Sequence, residues 1–262
     1  MQPHAMEHFF DCKKLTSIDL SNFNTRNVTD MNNMFYNCKR LTSLNLNGFD
    51  TSNVTDMCGM FSNCLKLTSL DLSNFNTSQV INMGGMFGDC KQLISLDLSS
   101  FDTSRVGNMC CMFDNCKQLI SLDLINFNTS KVLNMLGMFR ECLSLTSLDL
   151  INFDTRKVLS MSGMFKNCKA LAKLDLSNFD TSTTTDMGFM FRGCSHLAIL
   201  DLSNFDIRYG TYIYIYILSL CLRIVNHLRL FIFPINGILM KQYIQKMYLK
   251  VVILFQTLTQ RR

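Results

Sequence analysis

The 262-residue sequence predicts an α/β solenoid, a right-handed stack of coils with a parallel sheet on one side and short helices on the other. Three observations predict this fold class: a repeat of constant length, alternating apolar residues early in each repeat, and helical apolar spacing later in it. A single unit of such a repeat cannot bury its apolar side alone. Successive units are therefore expected to stack on their neighbours and share one core.

The repeat has a period of 26 residues and runs through eight units without insertion or deletion. One unit reads L-x-S-L-D-L-S-N-F-D-T-S-x-V-x-x-M-x-x-M-F-x-x-C-x-x, and we call the residues at one position of all units a column. The columns hold 14 of the 18 methionines, 16 of the 21 phenylalanines and 8 of the 12 cysteines. We expect the Leu, Phe, Met and Val columns to form the core, with the cysteines as small buried side chains. The cysteine column is Cys12, Cys38, Cys64, Cys90, Cys116, Cys142, Cys168 and Cys194.

Within one unit the apolar spacing changes. Leu70 and Leu72 alternate with polar residues, which predicts a strand with one face inward. Asn76-Thr77-Ser78 then supplies turn chemistry, since hydroxyl and amide side chains can cap backbone groups. Residues 83–90 carry apolar side chains at i, i+3, i+4 and i+7, which predicts about two turns of helix. Strand, turn and short helix in 26 residues are typical of leucine-rich-repeat geometry.

Composition and charge limit the class of protein and divide the chain. Hydrophobic residues make up 48% of it, which excludes a collagen-like or polar disordered chain. The net charge of +5 averages two unlike parts: residues 1–207 carry 17 basic and 20 acidic side chains, and residues 208–262 carry 8 basic and no acidic ones. We therefore divide the chain into an N-terminal remnant at 1–8, a solenoid of about eight repeats at 9–207, and a basic apolar tail at 208–262.

The tail has several possible origins. Tyr and Ile alternate over residues 212–217, as alternating T and A bases would encode, so a frameshifted origin is one hypothesis. A membrane anchor is another, although the longest uncharged stretch, 209–222, has only 14 residues. An apolar cap on the last coil and an amphipathic surface helix around residues 241–255 are further alternatives.

The motifs M-F-x-x-C-x-x-L-x-x-L-D-L and F-x-T-S-x-V, as in the stretch from Met60 to Val80, resemble the BspA-like leucine-rich-repeat surface protein family over about residues 9–206. Members of that family occur as surface and lipoprotein-type arrays. The resemblance implies a cell-surface or secreted adhesion scaffold with no catalytic centre. Because no charged segment followed by an apolar run precedes the first repeat, we do not expect a secretory signal in this chain, and a cytoplasmic location stays open.

One polar column is a candidate ligand-binding site. Its aspartates lie between two inward leucines, so they are predicted to point out of the sheet. Like charges stacked about 5 Å apart repel one another, at a cost that water and salt moderate. Either the neighbouring Ser and Thr columns solvate this stripe, or it is an acidic track for a basic partner surface or for cations. The column is Asp19, Asp71, Asp97, Asp123, Asp149, Asp175 and Asp201, with Asn45 as the exception.

No catalytic site is expected. Serine and aspartate are plentiful, but a hydrolytic triad also needs an orienting histidine. The sequence has no phosphate-binding glycine loop and no G-x-S-x-G motif. The four histidines occupy no repeated position: His4, His8, His196 and His227.

No cofactor, metal or nucleic acid is expected either. C-x-x-C and G-G-x-G-x-D are both absent, which argues against zinc and against a solenoid calcium site. The best case for copper is Met109-Cys110-Cys111-Met112, but the core columns already account for its methionines. The solenoid is net acidic and its aromatic residues belong to core columns, which argues against nucleic acid. A small basic cluster interrupts this surface: Arg105, Lys131, Arg156 and Lys157.

The leading functional hypothesis is a non-enzymatic repeat scaffold for protein–protein interaction, with cell-surface adhesion or host or matrix binding as its role. The alternative is an intracellular interaction module of the same fold, which the unpaired cysteines and the missing signal favour. Under either hypothesis the partner is a protein ligand, and any membrane contact would involve the tail.

Overall fold

The computed structural model is a stack of coils in which equivalent residues are 26 positions apart. It describes residues 4–5, 9–197, 199–202, 204–206 and 229–231. We number the coils from the leucine that begins each unit. Coil 1 covers residues 15–40, and coils 2 to 7 begin at Leu41, Leu67, Leu93, Leu119, Leu145 and Leu171.

The core consists of the apolar columns that the sequence predicts. The Met, Phe, Cys and Val columns are buried throughout coils 2–6, and in coil 4 Met109, Met112 and Phe113 are completely enclosed. The aromatic rings stack from coil to coil: the ring centroids of Phe61, Phe87 and Phe113 are 5.7–5.8 Å apart and their planes are nearly parallel. The prediction that these columns form continuous core ladders is confirmed.

The strand predicted early in each unit forms in two neighbouring coils. β2 (Ser17–Asp19) pairs in parallel with β4 (Ser43–Asn45), and Ile18 lies opposite Leu44. From coil 3 to coil 7 the equivalent stretches are joined by one backbone hydrogen bond per coil, at 3.2–3.4 Å. We call this side of the stack the first ladder. The parallel pairing is confirmed, but the sheet is shorter than predicted.

A second parallel ladder, which was not predicted, runs beside the valine column, two residues further along each coil. β3 (Val28–Asp30) pairs in parallel with β1 (His4–Ala5). The position of Asp30 then makes one parallel bridge from each coil to the next. The bridged residues are Asp30, Asp56, Asn82, Asn108, Asn134, Ser160 and Asp186. Each coil is therefore bonded to its neighbours along two sides.

The short helix predicted for residues 83–90 is wrong, and the described residues contain no helix. The segment is a series of overlapping turns, in which Met86 N–H donates to the Met83 carbonyl at 3.2 Å. Alternate amides of the segment, those of Gly85 and Phe87 among them, donate to the following coil instead. The Phe87 N–H, for example, donates to the Met112 carbonyl at 2.9 Å. The apolar spacing therefore predicted which side chains are buried, but not how the backbone is bonded.

Two residues in each turn series explain why no helix forms. In coil 3 these are Gly85 and Asp89, whose φ angles are +62° and +58°, whereas an α-helix requires φ near −60°. Glycine, asparagine and aspartate tolerate this left-handed conformation best. They occupy most coils at both positions: Asn33, Gly59, Gly85, Gly137 and Gly163 at the first, and Asn37, Asn63, Asp89, Asn115 and Asn167 at the second.

A buried threonine column joins the coils at the turn between the ladders. In coil 4 the Thr103 hydroxyl donates to the Asn128 carbonyl at 3.0 Å and accepts from the Asn128 N–H at 2.8 Å. Thr25, Thr51, Thr77, Thr129 and Thr155 make the same pair of bonds to the following coil. The capping predicted for this turn is confirmed, and its backbone partner lies in the next coil.

The chain divides into two compact units, residues 1–230 and 231–262. Beyond coil 7, β5 (Ile199–Asp201) is one strand of a third two-stranded sheet, and the other strand is β6 (Arg229–Phe231), whose first two residues belong to the first unit. The hypotheses on the N-terminal remnant and on the tail fall outside the described residues, apart from β1 and β6. No helix of the described part is long and apolar enough to cross a membrane.

We expect Thr103→Val to lower the free energy of unfolding by about 2 kcal/mol, because valine leaves the N–H and C=O groups of Asn128 without their partner inside the stack. Urea unfolding followed by circular dichroism measures the change. Thr68 is exposed, and Thr68→Val serves as a control with an expected effect below about 0.5 kcal/mol. Equal effects at both positions would contradict a bonding role for the threonine column.

Candidate functional site

The predicted aspartate column lies on the outward side of the first ladder, and all seven of its carboxylates are solvent-exposed. Each inward leucine on either side of an aspartate packs in the core, as Leu96 and Leu98 do beside Asp97. The alternation that the sequence predicted therefore holds at these positions. The structure arranges the seven side chains in one row, with one aspartate in coil 1, one in each of coils 3–7, and Asp201 beyond coil 7.

Each of six carboxylates in this row also holds a turn. Oδ1 of Asp97 accepts the backbone N–H of Ser99 at 2.9 Å, and Oδ1 of Asp123 accepts that of Ile125 at 3.0 Å. Asp19, Asp71, Asp149 and Asp175 make the same bond at 2.9–3.1 Å. Asn45 makes it with its amide oxygen, at 3.2 Å from the Asn47 nitrogen. An ionised carboxylate accepts several hydrogen bonds, so the turn leaves it able to bind a ligand.

These hydrogen bonds also lower the pKa of two carboxylates in the middle of the stack, Asp71 and Asp97. The Ser73 hydroxyl and then the Ser73 backbone N–H hold the pKa of Asp71 below its ordinary value. For Asp97 the backbone N–H of Ser99 is the larger cause, and the pKa is again lowered. Asp71 and Asp97 are therefore ionised at neutral pH, and each contributes a negative charge to the row.

Two depressions lie along the row. The larger is an open groove of about 400 Å³ between coils 6 and 7. A smaller one, of about 50 Å³, lies between coils 4 and 5 and includes Asp97, Asp123 and Asn126. The groove is lined by residues that include Ser147, Asp149, Ile151, Lys173, Asp175 and Asn178.

Exposed isoleucines flank the middle of the row. Ile94 and Ile120 lie at one edge of the first ladder, with 49% and 53% of their surface exposed, and Ile125 and Ile151 lie at the turn, with 49% and 55% exposed. Other coils carry Thr, Ser, Asn or Ala at these positions. We call Asp97, Asp123, Asp149 and these four isoleucines the acidic face. Sequence reasoning missed the isoleucines, although their departure from the polar consensus in coils 4–6 was a readable signal.

The basic residues lie elsewhere. Arg105, Lys131 and Lys157 belong to one exposed column beside the second ladder. Arg156 is paired with Asp154, with 2.7 Å between Nη2 and Oδ2. The predicted basic cluster is therefore separate from the aspartate row, and part of its charge is neutralised locally.

From Cys38 to Cys194 the cysteine column is buried, Cys12 at its start is half-buried, and all of these thiols are free. The Cys90 thiol donates to the Phe61 carbonyl of the preceding coil at 3.2 Å, and Cys116 donates to Phe87 at 3.1 Å. Burial raises the pKa of Cys90 to about 12. These thiols act as small core side chains, as the sequence predicts.

The described residues offer no evident metal or catalytic centre. They contain no group of three or more His, Cys, Asp or Glu side chains placed to hold a metal ion. In the copper motif, Met109 and Met112 are enclosed in the core, whereas Cys110 and Cys111 are half-buried at the surface. The Nδ1 atom of His196 lies 2.6 Å from the Lys169 carbonyl. A carbonyl accepts only from a protonated nitrogen, so this atom is not a base for the neighbouring Ser195 hydroxyl. His4, His8 and His227 fall outside the described side chains.

Acid is expected to destabilise the stack partly through the aspartate row. The hydrogen bonds that Asp71, Asp97 and Asp175 accept lower the pKa of these carboxyls in the folded state. Their contribution to stability is therefore fully present above the pKa of the unfolded state, which is near about 4. It is lost as the pH falls through the lower pKa of the folded state. Urea midpoints measured from pH 6 downward should fall less steeply below about pH 4 in a variant with these three residues exchanged for Asn. Equal slopes would show that the row does not couple protonation to folding.

Solved structures that are similar to this chain include three with low identity. A leucine-rich repeat protein from Eubacterium ventriosum is 16% identical with a TM-score of 0.39, and the match covers 71% of this chain and 59% of that one. The TLR13–ssRNA13 complex is 16% identical with a TM-score of 0.28, over 86% of this chain and 39% of that one. The functional domain of InlJ from Listeria monocytogenes, which includes a cysteine ladder, is 15% identical with a TM-score of 0.18, over 74% and 59%. This chain thus spans about three fifths of the Eubacterium protein.

No curated protein matches the sequence. The family model described as "Mycoplasma protein of unknown function, DUF285" matches residues 4–119 and again residues 91–205. Together the two matches follow the repeat through all seven coils and cover well over half of the chain. The chain therefore belongs to this DUF285 family.

Proposed function

We propose that this chain is a non-enzymatic scaffold that binds a protein ligand through its acidic face. The observation that carries the proposal is that carboxylates and exposed isoleucines stand side by side in coils 4–6, on a backbone bonded to neighbouring coils on both sides. A surface that is rigid before binding loses little conformational freedom when a ligand docks. Exposed apolar side chains beside charges are typical of protein interaction surfaces.

Comparing the aspartate column with two other turn-forming columns indicates that the fold itself does not need the negative charge of the row. Two further columns hold turns with an Asp or Asn side chain, and both mix the two residues: Asn24, Asp50, Asn76, Asp102 and Asn128 in one, and Asp30, Asp56, Asn82, Asn108 and Asn134 in the other. In the candidate column only Asn45 replaces aspartate. Asparagine makes the same turn without repulsion between stacked charges. Turn formation alone therefore does not account for the carboxylates.

The chemistry of the face specifies the ligand. A row of carboxylates favours lysine or arginine side chains on the partner, and the isoleucines favour aliphatic or aromatic ones. Lys173 places a positive charge at the edge of the groove between coils 6 and 7. A basic ligand is therefore expected to centre on coils 4–6 and to meet this groove only at the side that Asp149 and Ile151 of the acidic face line.

The finer biological assignment rests on the resemblance to BspA-like surface proteins. On that basis the ligand is a host or matrix protein, the role is adhesion, and the protein acts at the cell surface or after secretion. The second candidate is an intracellular interaction module, which the reduced, buried cysteine column favours because thiols persist in reducing compartments.

Limited proteolysis of intact cells distinguishes the two locations. If the protein acts at the surface, protease added outside should remove it while a cytoplasmic marker stays intact. Complete protection in intact cells, followed by digestion after lysis, would establish the intracellular alternative instead.

Exchanging Asp97, Asp123 and Asp149 for Asn is expected to weaken ligand binding by about tenfold at low salt and to reduce its salt dependence, because the long-range attraction is lost while the turns are kept. Immobilised wild-type and variant chains are compared for capture of proteins from a matrix extract. The dissociation constant is then measured for each captured protein after purification.

The chain offers a matched control for this experiment. Asp102, Asp154 and Asp180 hold equivalent turns in another column, so their exchange for Asn removes the same charge from a different place. A second arm tests the apolar part with Ile125→Ser and Ile151→Ser, because serine occupies that position in coils 1, 3, 4 and 7. Binding that survives both the aspartate and the isoleucine variants at retained fold would overturn the proposal.

A further inference from the structure

The second ladder carries a basic and aliphatic surface in the middle of the stack. In coil 5 the exposed side chains of Lys131 and Leu133 flank the buried Val132, and in coil 6 Lys157 and Leu159 occupy the same exposed positions. Both leucines expose 48% of their surface. The surface extends into coils 3 and 4. We call it the basic face, and its residues are Ile81, Arg105, Lys131, Leu133, Lys157 and Leu159.

The fold does not require these side chains. In coils 1, 2 and 7 the leucine position is threonine. The hydroxyls of Thr55 and Thr185 each donate to a carbonyl of the preceding coil at 3.1 Å, a bond that leucine cannot make. The lysine position holds Asn53 in coil 2 and Thr183 in coil 7, which also donate to the preceding coil, at 2.9 and 2.8 Å. The basic face therefore lacks bonds between coils that the repeat makes elsewhere.

The positive charge of this face is not neutralised nearby. Lys131 and Lys157 form no salt bridge with any residue in the described part of the chain. The Arg105 guanidinium donates to the neutral side chain of Gln79. The adjacent bridged position carries a carboxylate in coils 1, 2 and 7 but a neutral side chain in coils 3–6. It is Asp30, Asp56 and Asp186 in the former, and Asn82, Asn108, Asn134 and Ser160 in the latter.

The basic face is complementary to the acidic face in both charge and spacing. Each combines charged with exposed aliphatic side chains, and the charged residues of both lie in coils 4–6. Both also have the same step of about 4.8 Å per coil, because one stack carries them. Two copies lying side by side with parallel axes can therefore place three opposite charges in register at once. The facing residues are Asp97, Asp123 and Asp149 on one copy, and Arg105, Lys131 and Lys157 on the other.

A single copy cannot bring its own two faces together. The inward residues of both ladders, such as Leu98 of the first and Val106 of the second, are buried in one shared core. The outward residues of the two ladders therefore lie on different sides of the stack. A contact between the acidic face of one copy and the basic face of another is heterologous, so it leaves one face of each kind free and allows further copies to add.

We propose that this chain associates with itself side by side, the acidic face of one copy binding the basic face of the next. The inference rests on the proposed function, because it uses the acidic face as a binding surface and names a second copy of the chain as its partner. The opposite charges set the register and orientation of the two copies. The isoleucines of one face and the leucines of the other supply the apolar contact. A basic protein ligand and a second copy then compete for the acidic face.

Sedimentation velocity of the purified full chain over a range of concentrations tests the proposal. We expect assemblies larger than the monomer at low salt, which dissociate as salt screens the charges. Exchanging Arg105, Lys131 and Lys157 for Asn should raise the dissociation constant of self-association at least about tenfold. Asparagine already occupies this position as Asn27 and Asn53, so the variant is expected to fold, and circular dichroism checks this.

A control variant removes the same charge from another column. Lys39, Lys117 and Lys169 lie beside the turn series, at a position where coil 7 has Ser195. Their exchange for Ser is expected to leave self-association unchanged. Equal weakening in the control and in the basic-face variant would overturn the proposal, because net charge rather than the basic face would then govern association.

Mixing two variants tests the pairing of the faces directly. The acidic-face variant, with Asp97, Asp123 and Asp149 exchanged for Asn, and the basic-face variant should each be monomeric alone. Together they should form a one-to-one complex that grows no further, because each supplies the face that the other lacks. A mixture that stays monomeric, or a wild-type chain that is monomeric at every concentration, would overturn the proposal.

The basic-face variant also separates this inference from the proposed function. It keeps the acidic face, so its capture of proteins from a matrix extract should equal that of the wild type. Normal capture by a wild-type chain that does not self-associate would overturn this inference and leave the proposed function standing. Self-association without any capture would support this inference and count against a separate protein ligand.

Discussion

Backbone hydrogen bonds between coils, at an offset of 25 residues, are the interaction on which the rest of the structure depends. In the turn series every second amide donates to the following coil: Met83 to Asn108 at 2.9 Å, Gly85 to Cys110 at 2.7 Å and Phe87 to Met112 at 2.9 Å. The described part of a coil contains neither a helix nor a hairpin that could satisfy these groups internally. Unpaired amides inside a stack are costly, so all units must have the same length.

This bonding explains the polar residues of the repeat as well as the apolar ones. For every second N–H group to point at the following coil, the backbone takes a left-handed conformation at two residues of each turn series. This accounts for the glycines and asparagines at those two positions. The threonine column supplies the bonds that the backbone lacks at the turn between the ladders, and a hydroxyl serves because it donates and accepts at once. Valine has the shape of threonine but neither of these bonds.

The sequence predicted the period, the buried columns and the outward aspartates, because burial depends on side-chain spacing alone. It did not predict the backbone of residues 83–90, because Met83, Met86, Phe87 and Cys90 have the same spacing in a helix and in a series of turns. The residues that distinguish a helix from a series of turns here are Gly85 and Asp89, because both tolerate the positive φ angles that a helix excludes. The isoleucines of the acidic face were missed for another reason, since they depart from the repeat in a few coils only.

A repeat separates what the fold requires from what it tolerates. Residues present in every coil, such as the threonines, have a structural explanation within the stack. Residues that depart from the pattern need a different explanation. Four isoleucines are exposed where other coils have small or polar residues. Cys111 has a φ of +54° at a position where glycine would adopt this angle without strain. The aspartate row combines both cases, because its turn is structural while its charge is not needed for the turn. Since neighbouring coils hold all these side chains in place, such departures change surface chemistry without changing the stack that carries it.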